Sequence, residues 1–331
     1  MHYALAASQP KIVDAVLSLA PKGNAIDLAV AAVFAGAALS PSTLLGPVQL
    51  VVGGGGAGLR AFDGRTRQPG AGAPRPRGFL PRDTIPEAAY VGVPVLPAAL
   101  AAVHALAGEL SFARVVGPAV ALAKDESDGR HELLSRVSRR GALALGEGDF
   151  ADDLVAAAGR IGGGLLTKED FATVGPAESE CHLEKRTTRA VARVPWYDAP
   201  PNDSIDRDST ETHVVAAADA RGRIAIATYA VSTVGLDLPT WGILAPRTAA
   251  PVRRGEPRTR PGEPRQAASP IVLLSADGVL GGAIGFAGRN RESALGAAVE
   301  SFLGGLPIES IAPEASRPTG VLRTPSSART I

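Results

Sequence analysis

One cysteine in 331 residues, Cys181, is too few for an internal disulfide framework or a multi-cysteine metal site. Net charge is almost absent: 34 basic side chains face 33 acidic ones, a formal charge of +1, so no general field gathers nucleic acid or an anionic membrane surface. No apolar run reaches membrane-spanning length. The opening stretch, Met1 to Ala20, has no basic leader, no long apolar core and no small-residue cleavage site. These absences predict a soluble, cytoplasmic protein that takes small-molecule partners and neither nucleic acid nor membrane. A homo-oligomer stays open.

What is present alternates between helical and strand patterns. "KIVDAVLSLA" and "NAIDLAVAAVFAGAAL" carry helical apolar spacing with a break at Pro21 to Gly23. "VQLVV" and "AGLRAFD" flank four glycines, Gly53 to Gly56, which predicts a hairpin. A phosphate cradle would need a helix directly after the glycines, so no nucleotide cofactor is expected. Residues 68–82 and 251–264 are rich in arginine and proline and predict two exposed loops. From Leu96 to about Ala172 the pattern is helical, in pieces separated at Gly117 to Pro118 and at Ser127 to Gly129. Strand patterns return with "RAVARVPW", "THVVAAAD", "RIAIATYAV", "SPIVLLS" and "LGGAIGF", and a helix from Arg291 to Leu303 closes the set. Helices, a hairpin, helices again and then antiparallel strands predict an α+β fold with helices packed on stacked sheets.

The stretch "NDSIDRDSTE" leads a polar, cuttable segment into the strand "THVVAAAD" at Thr212. Taken alone, it reads first as a loop entering a strand. A second reading is chemical: a threonine hydroxyl becomes a useful nucleophile when a base lies beside it, and cutting the preceding peptide bond frees the residue's own α-amino group for that role. His104 and His131 fall in helical stretches and read as surface or cap residues. His182 beside Cys181 offers two metal ligands, which do not make a site.

Across the chain, "GNAIDLAVAAVFAGAALSP", "AFDGRTRQP", "GVPVLPAALAAVHAL", "VVGPAVALAKD", "GGGLLTKEDF", "THVVAAADARGRIAIATYAV", "PTWGILAP", "RQAASPIVLLSADG" and "GFAGRNR" resemble the γ-glutamyltransferase family in order and approximate spacing. The resemblance implies a four-layer αββα sandwich of the N-terminal nucleophile hydrolase type. It implies one domain over 1–331, with 1–211 matching a shortened large subunit and 212–331 a small subunit. The implied chemistry is autocleavage before a threonine, then cleavage or transfer of a γ-glutamyl or related acyl group from a small amide bearing a carboxylate, with no cofactor and no metal.

Counting back without a gap from Gly222, Thr228 and Tyr229 sets the family's nucleophile on Thr212. Aligning instead on the histidine that follows two hydroxyl residues would put Glu211 there and add a residue inside a strand, which flips every side chain before it unless a bulge absorbs the change. Arg65 matches the arginine that holds the substrate's α-carboxylate, with Arg67 as its fallback; a guanidinium can give two parallel hydrogen bonds to a carboxylate. Ala287 and Gly288 stand at the paired oxyanion glycines. Ala230 and Ser232 stand where the family has a threonine and an asparagine that orient its nucleophile, and Ser232 joins Arg65 as a candidate substrate-binding residue.

The departures are as plain. Arg247 to Ala250 replace the acid that grips the substrate's amino group, and Gln266 and Ala267 replace a serine pair. Two functions follow: a threonine-nucleophile amidohydrolase or acyltransferase, or an uncut, degenerate relative kept as a binding or scaffold protein.

Overall fold

The computed structural model describes residues 3–56, 58–74, 76–196, 210–265, 271–276, 278–287, 291–307, 317–324 and 327–330. The chain opens with strand β1 (Tyr3–Ala7), followed by helices α1 (Pro10–Val16) and α2 (Ala25–Leu39). Helix α2 is buried at every residue from Ala25 to Ala38, as expected of a helix apolar on all sides. Its start is fixed by a capping box: the Asn24 side chain accepts from the Asp27 N–H at 3.0 Å and the Asp27 carboxylate accepts from the Asn24 N–H at 2.9 Å.

The glycine-flanked runs form the predicted hairpin, β2 (Val48–Gly53) and β3 (Arg60–Gly64). A helical stretch follows: α3 (Leu96–Ala107), α4 (Phe112–Glu126), α5 (Asp128–Arg140), α6 (Asp149–Ala158) and α7 (Lys168–Thr173). The break expected at Gly117 to Pro118 is absent, because α4 runs through both residues. Pro118 removes one backbone hydrogen bond, while Val115, Val116, Ala119 and Ala123 keep the helix in the core. His104 and His131 are half-buried and bond within the fold: His104, in the last turn of α3, has its Nε2 2.9 Å from the Leu110 carbonyl and 3.4 Å from Asp27, and His131 Nδ1 lies 2.9 Å from the Val120 carbonyl.

Strands β4 (Ala177–Glu180), β5 (His182–Arg186) and β6 (Arg189–Arg193) precede the long pair β7 (Thr210–Asp219) and β8 (Ile224–Ser232). A two-stranded sheet, β9 (Gly235–Leu238) with β10 (Ile243–Pro246), is followed by β11 (Ile271–Ala276), β12 (Val279–Ala287) and α8 (Arg291–Leu303). That helix does not close the chain, because β13 (Arg317–Thr324) and β14 (Ser327–Thr330) come after it.

Among the described residues two six-stranded sheets result, ordered β1-β7-β8-β2-β3-β4 and β14-β13-β12-β11-β6-β5, with every pair of neighbours antiparallel. Alternation along each strand divides the core. Val214, Ala216 and Ala218 of β7 join Ile224 and Ile226 of β8 and Ile271 and Leu273 of β11 in an apolar layer between the sheets. Val215 and Ala217 point the other way and pack with α2 and its neighbours. On the far side of the second sheet, Val272, Ile284 and Phe286 pack against Leu295, Val299 and Phe302 of α8.

The glycine turn does more than reverse the chain. Gly54 has φ +82°, and a Cβ there would lie 1.8 Å from the Gly222 carbonyl oxygen, so the β2–β3 turn sits against the β7–β8 turn. The two arginine and proline tracts are paired rather than free: Phe79 N–H donates to Val252 at 2.8 Å, Arg254 N–H to Phe79 at 2.9 Å and Gln68 N–H to Glu263 at 2.9 Å. Among the described residues no helix is long and apolar enough to cross a membrane.

Candidate active site

One end of the inter-sheet layer turns polar. Thr228 pairs with Gln49 and Gln49 pairs with Asp63, so these three side chains form a row across β8, β2 and β3 on the face that looks toward the second sheet. The next row outward begins with Thr212 opposite Ala230, whose N–H donates to the Pro47 carbonyl at 3.2 Å. Extending the same register brings Arg65 level with Pro47, at three strand spacings of about 4.8 Å, or about 14 Å, from the Thr212 backbone.

Thr212 is 3% exposed. The β7–β8 ladder shows no register shift from Thr210 to Ala218, and strict alternation sets Thr212 on the inter-sheet face. Glu211 has the opposite parity and an 84% exposed side chain. The strand begins at Thr210, two residues earlier than expected, because Thr210 and Glu211 pair with Ser232 and Val231. Ser8, just past β1, fixes this end of the strand: its hydroxyl accepts from the Val214 N–H at 2.8 Å and donates to the Val214 carbonyl at 3.2 Å.

Arg65 and Arg67 converge on one carboxylate. Asp63 accepts from the Arg65 backbone N–H at 2.9 Å, from Arg65 Nε at 2.9 Å and Nη2 at 2.8 Å, and from Arg67 Nη1 at 3.0 Å. All three side chains are buried, so two guanidinium groups and one carboxylate leave a local charge of +1 at the edge of the layer. Burial pushes the Asp63 carboxyl up, but the hydrogen bonds and charges of Arg65 and Arg67 outweigh it and hold the group below its usual range. Arg65 also stacks over the Trp196 ring, its Cζ 5.2 Å from the centroid, and the Trp196 indole N–H donates to Gln49 Oε1.

His213 faces the helical side. Its ring stacks on Tyr229 with centroids 5.5 Å apart, its Nδ1 is buried with no hydrogen-bond partner among the described residues, and burial lowers its pKa although Glu211 pulls the other way. Burial likewise raises the Tyr229 phenol. The Ser232 hydroxyl donates to the Val234 carbonyl at 2.8 Å and accepts from the Val234 N–H at 3.2 Å, while the Ser232 N–H donates to Ser42 Oγ at 2.7 Å. Arg247, where the resemblance calls for an acid, is paired with Glu87 and lies over Tyr90 at 5.0 Å. Gly288, the oxyanion candidate, lies outside the described residues, as do Gln266 and Ala267. Cys181 is half-buried beside His182, burial pushes its thiol up to about 12, and no third metal ligand joins the pair among the described residues.

Thr212, Arg65 and Arg67 thus share one end of one layer, with Asp63, Gln49 and Trp196 as members that carry no motif of their own. Only Asp63 had a local signal, two residues before Arg65 in "FDGR".

No protein-family model matches the chain, and no curated protein does. Solved structures do. Cephalosporin acylase from Bacillus halodurans superposes with a TM-score of 0.71 at 16% identity, over 98% of this chain and 92% of that one. The protein LmbA2991HD gives 0.67 at 12% identity, over 99% and 96%. The γ-glutamyltranspeptidase from Pseudomonas nitroreducens overlaps only in part, with a TM-score of 0.48 at 18% identity over 58% of this chain and 70% of that one. The fold is therefore α+β and similar to that of the cephalosporin acylase over nearly the whole of both chains.

Proposed function

We propose that the protein is a threonine-nucleophile amide hydrolase or acyltransferase similar to γ-glutamyltransferases, with the four-layer αββα arrangement of the N-terminal nucleophile hydrolases. The observation that carries this reading is the burial of Thr212 on the same face and at the same end of the inter-sheet layer as the Asp63, Arg65 and Arg67 cluster. The alternation that buries Thr212 and exposes Glu211 favours Thr212 as the nucleophile.

Maturation would begin with the Thr212 hydroxyl attacking the Glu211 carbonyl. The peptide C–N bond breaks as the ester C–O bond forms, and water then hydrolyses the ester, leaving a carboxylate on Glu211 and a free amine on Thr212. That amine takes the hydroxyl proton when Thr212 attacks a substrate amide. The substrate's amine leaves with a proton, and water or a second amine accepts the acyl group. An N–H at Gly288, with that of Ala287, is the proposed donor to the oxyanion. The arginine pair, with its surplus positive charge, holds a carboxylate at the far end of the acyl chain.

With Arg247 bound to Glu87 where an amino-gripping acid is expected, donors with a free, a blocked or no α-amine should have kcat/KM values within about tenfold of one another. γ-Glutamyl-, N-acetyl-γ-glutamyl- and glutaryl-p-nitroanilide test this, with Thr212→Ala as the inactive control. Strict dependence on a free α-amine would contradict the reading. A second reading, an uncut binding protein, is favoured by one observation: Thr210 and Glu211 are held in the β7–β8 ladder, which sets the bond to be cut inside a regular strand.

A further inference from the structure

Away from Thr212, the paired arginine and proline tracts, the face of α6 and the loop before α7 enclose a cleft of about 910 Å³. That volume is in the range that holds a small organic molecule. Its wall is mostly apolar, with Phe79, Val155, Leu165, Leu166 and Val252 among the lining side chains. Among the described residues four charged side chains line it: Arg77, Arg160, Lys168 and Asp152. Lys168 and Asp152 are paired with each other. Among the described residues the guanidinium groups of Arg77 and Arg160 have no hydrogen-bond or ion-pair partner, and both residues are exposed. Ile161 also borders the cleft and is 96% exposed, a large apolar side chain with nothing over it.

An apolar concavity bordered by two uncompensated guanidinium groups selects for a particular chemistry. A purely polar anion gains nothing from the wall, and a neutral hydrocarbon leaves the arginines unused. We propose that this cleft binds a small amphipathic anion, an apolar chain or ring that ends in a carboxylate, with the apolar body against Val155 and Leu165 and the carboxylate between Arg77 and Arg160. A guanidinium fork matches a carboxylate with two parallel hydrogen bonds. The proposal does not rest on the chemistry at Thr212, since no residue of that site lines the cleft.

Calorimetric titration of the full chain with sodium decanoate, below its micellar concentration, tests it. One saturable site is expected, with affinity falling about fourfold for each methylene removed from decanoate to hexanoate. Acetate and inorganic phosphate should give no measurable heat, and decanol and decyltrimethylammonium should bind at least tenfold more weakly than decanoate. Arg77→Ala with Arg160→Ala should weaken decanoate about tenfold or more, because it removes charge-assisted hydrogen bonds, while circular dichroism and the melting temperature stay those of the parent. No saturable decanoate binding, binding unchanged in the double variant, or equal binding of the three ten-carbon probes would each overturn the proposal. So would concentration-dependent self-association that decanoate does not compete with and that Ile161→Lys abolishes, since the cleft would then serve a second copy of the chain.

Discussion

Replacing Asp63 by Asn removes one negative charge with almost no change of shape, and it strikes the element that holds Arg65 and Arg67 in place. The Asp63 carboxylate accepts four hydrogen bonds from these two residues, and the two arginine side chains are only 11% and 5% exposed. Two effects compete. Burial penalises the charged carboxyl, so neutralising it recovers some desolvation cost. Against that, two buried guanidinium groups lose their counter-charge, and an amide N–H₂ would face N–H donors. The downward shift of the Asp63 pKa says that the second effect wins in the parent. Breaking such a buried pair costs about 3–5 kcal/mol. Urea denaturation in a Thr212→Ala background, which keeps every molecule uncut, should report a loss of that size with an unchanged slope. Glu178→Gln removes an exposed partner 3.6 Å from Arg60 and should cost under about 1 kcal/mol. The same carboxylate sets a pH dependence. Its folded pKa lies below the ordinary 3.8, so its contribution is complete above that value and is lost as the pH falls through the lower folded pKa. A loss under about 1 kcal/mol in Asp63→Asn would refute the idea that this carboxylate anchors the arginine pair.

Gly54→Ala and Gly56→Ala separate close packing from backbone conformation. Both residues have positive φ, +82° and +87°, and share a cost of about 1 kcal/mol for a left-handed side chain, but only Gly54 meets the Gly222 carbonyl. Gly54→Ala should therefore cost about 1–3 kcal/mol more in urea, and equal losses would remove the contact between the two turns. Cys181, with its thiol pushed up to about 12, should react with a disulfide reagent at pH 8 on the order of a hundredfold more slowly than a free cysteine, since its small thiolate fraction is offset in part by the greater nucleophilicity of a more basic thiolate. Reaction at the rate of a free thiol would show that it is neither buried nor raised.

Much of this architecture is written locally. The unbroken apolar run of α2 and its Asn24 cap, the glycine-flanked β2 and β3, and the apolar runs of β7 and β8 each carry their signal within about a dozen residues. What escaped depends on partners distant in sequence. β4 and β5 are "AESE" and "HLEKR", polar because they edge their sheets, and a charged edge strand looks like a loop until its neighbour is known. Pro118 reads as a breaker, and only the packing of Val115, Val116 and Ala119 overrides it. The two arginine and proline tracts read as separate loops, and their mutual hydrogen bonds span more than 170 residues of sequence. The same holds at the candidate site. Thr212 and Arg65 were legible through a family resemblance, whereas Gln49 and Trp196 become members only when β2 pairs with both β3 and β8 and Trp196 reaches Gln49.

Intact-mass spectrometry after prolonged incubation at neutral pH, comparing the parent with Thr212→Ala, tests the central claim most directly. The time course extends over days, so that slow cleavage is not scored as none. The account predicts two fragments divided between Glu211 and Thr212 in the parent and a single mass in Thr212→Ala. A single uncut mass in both would contradict autocatalytic activation and leave the binding-protein reading, and cleavage that persists in Thr212→Ala would contradict the assignment of the nucleophile.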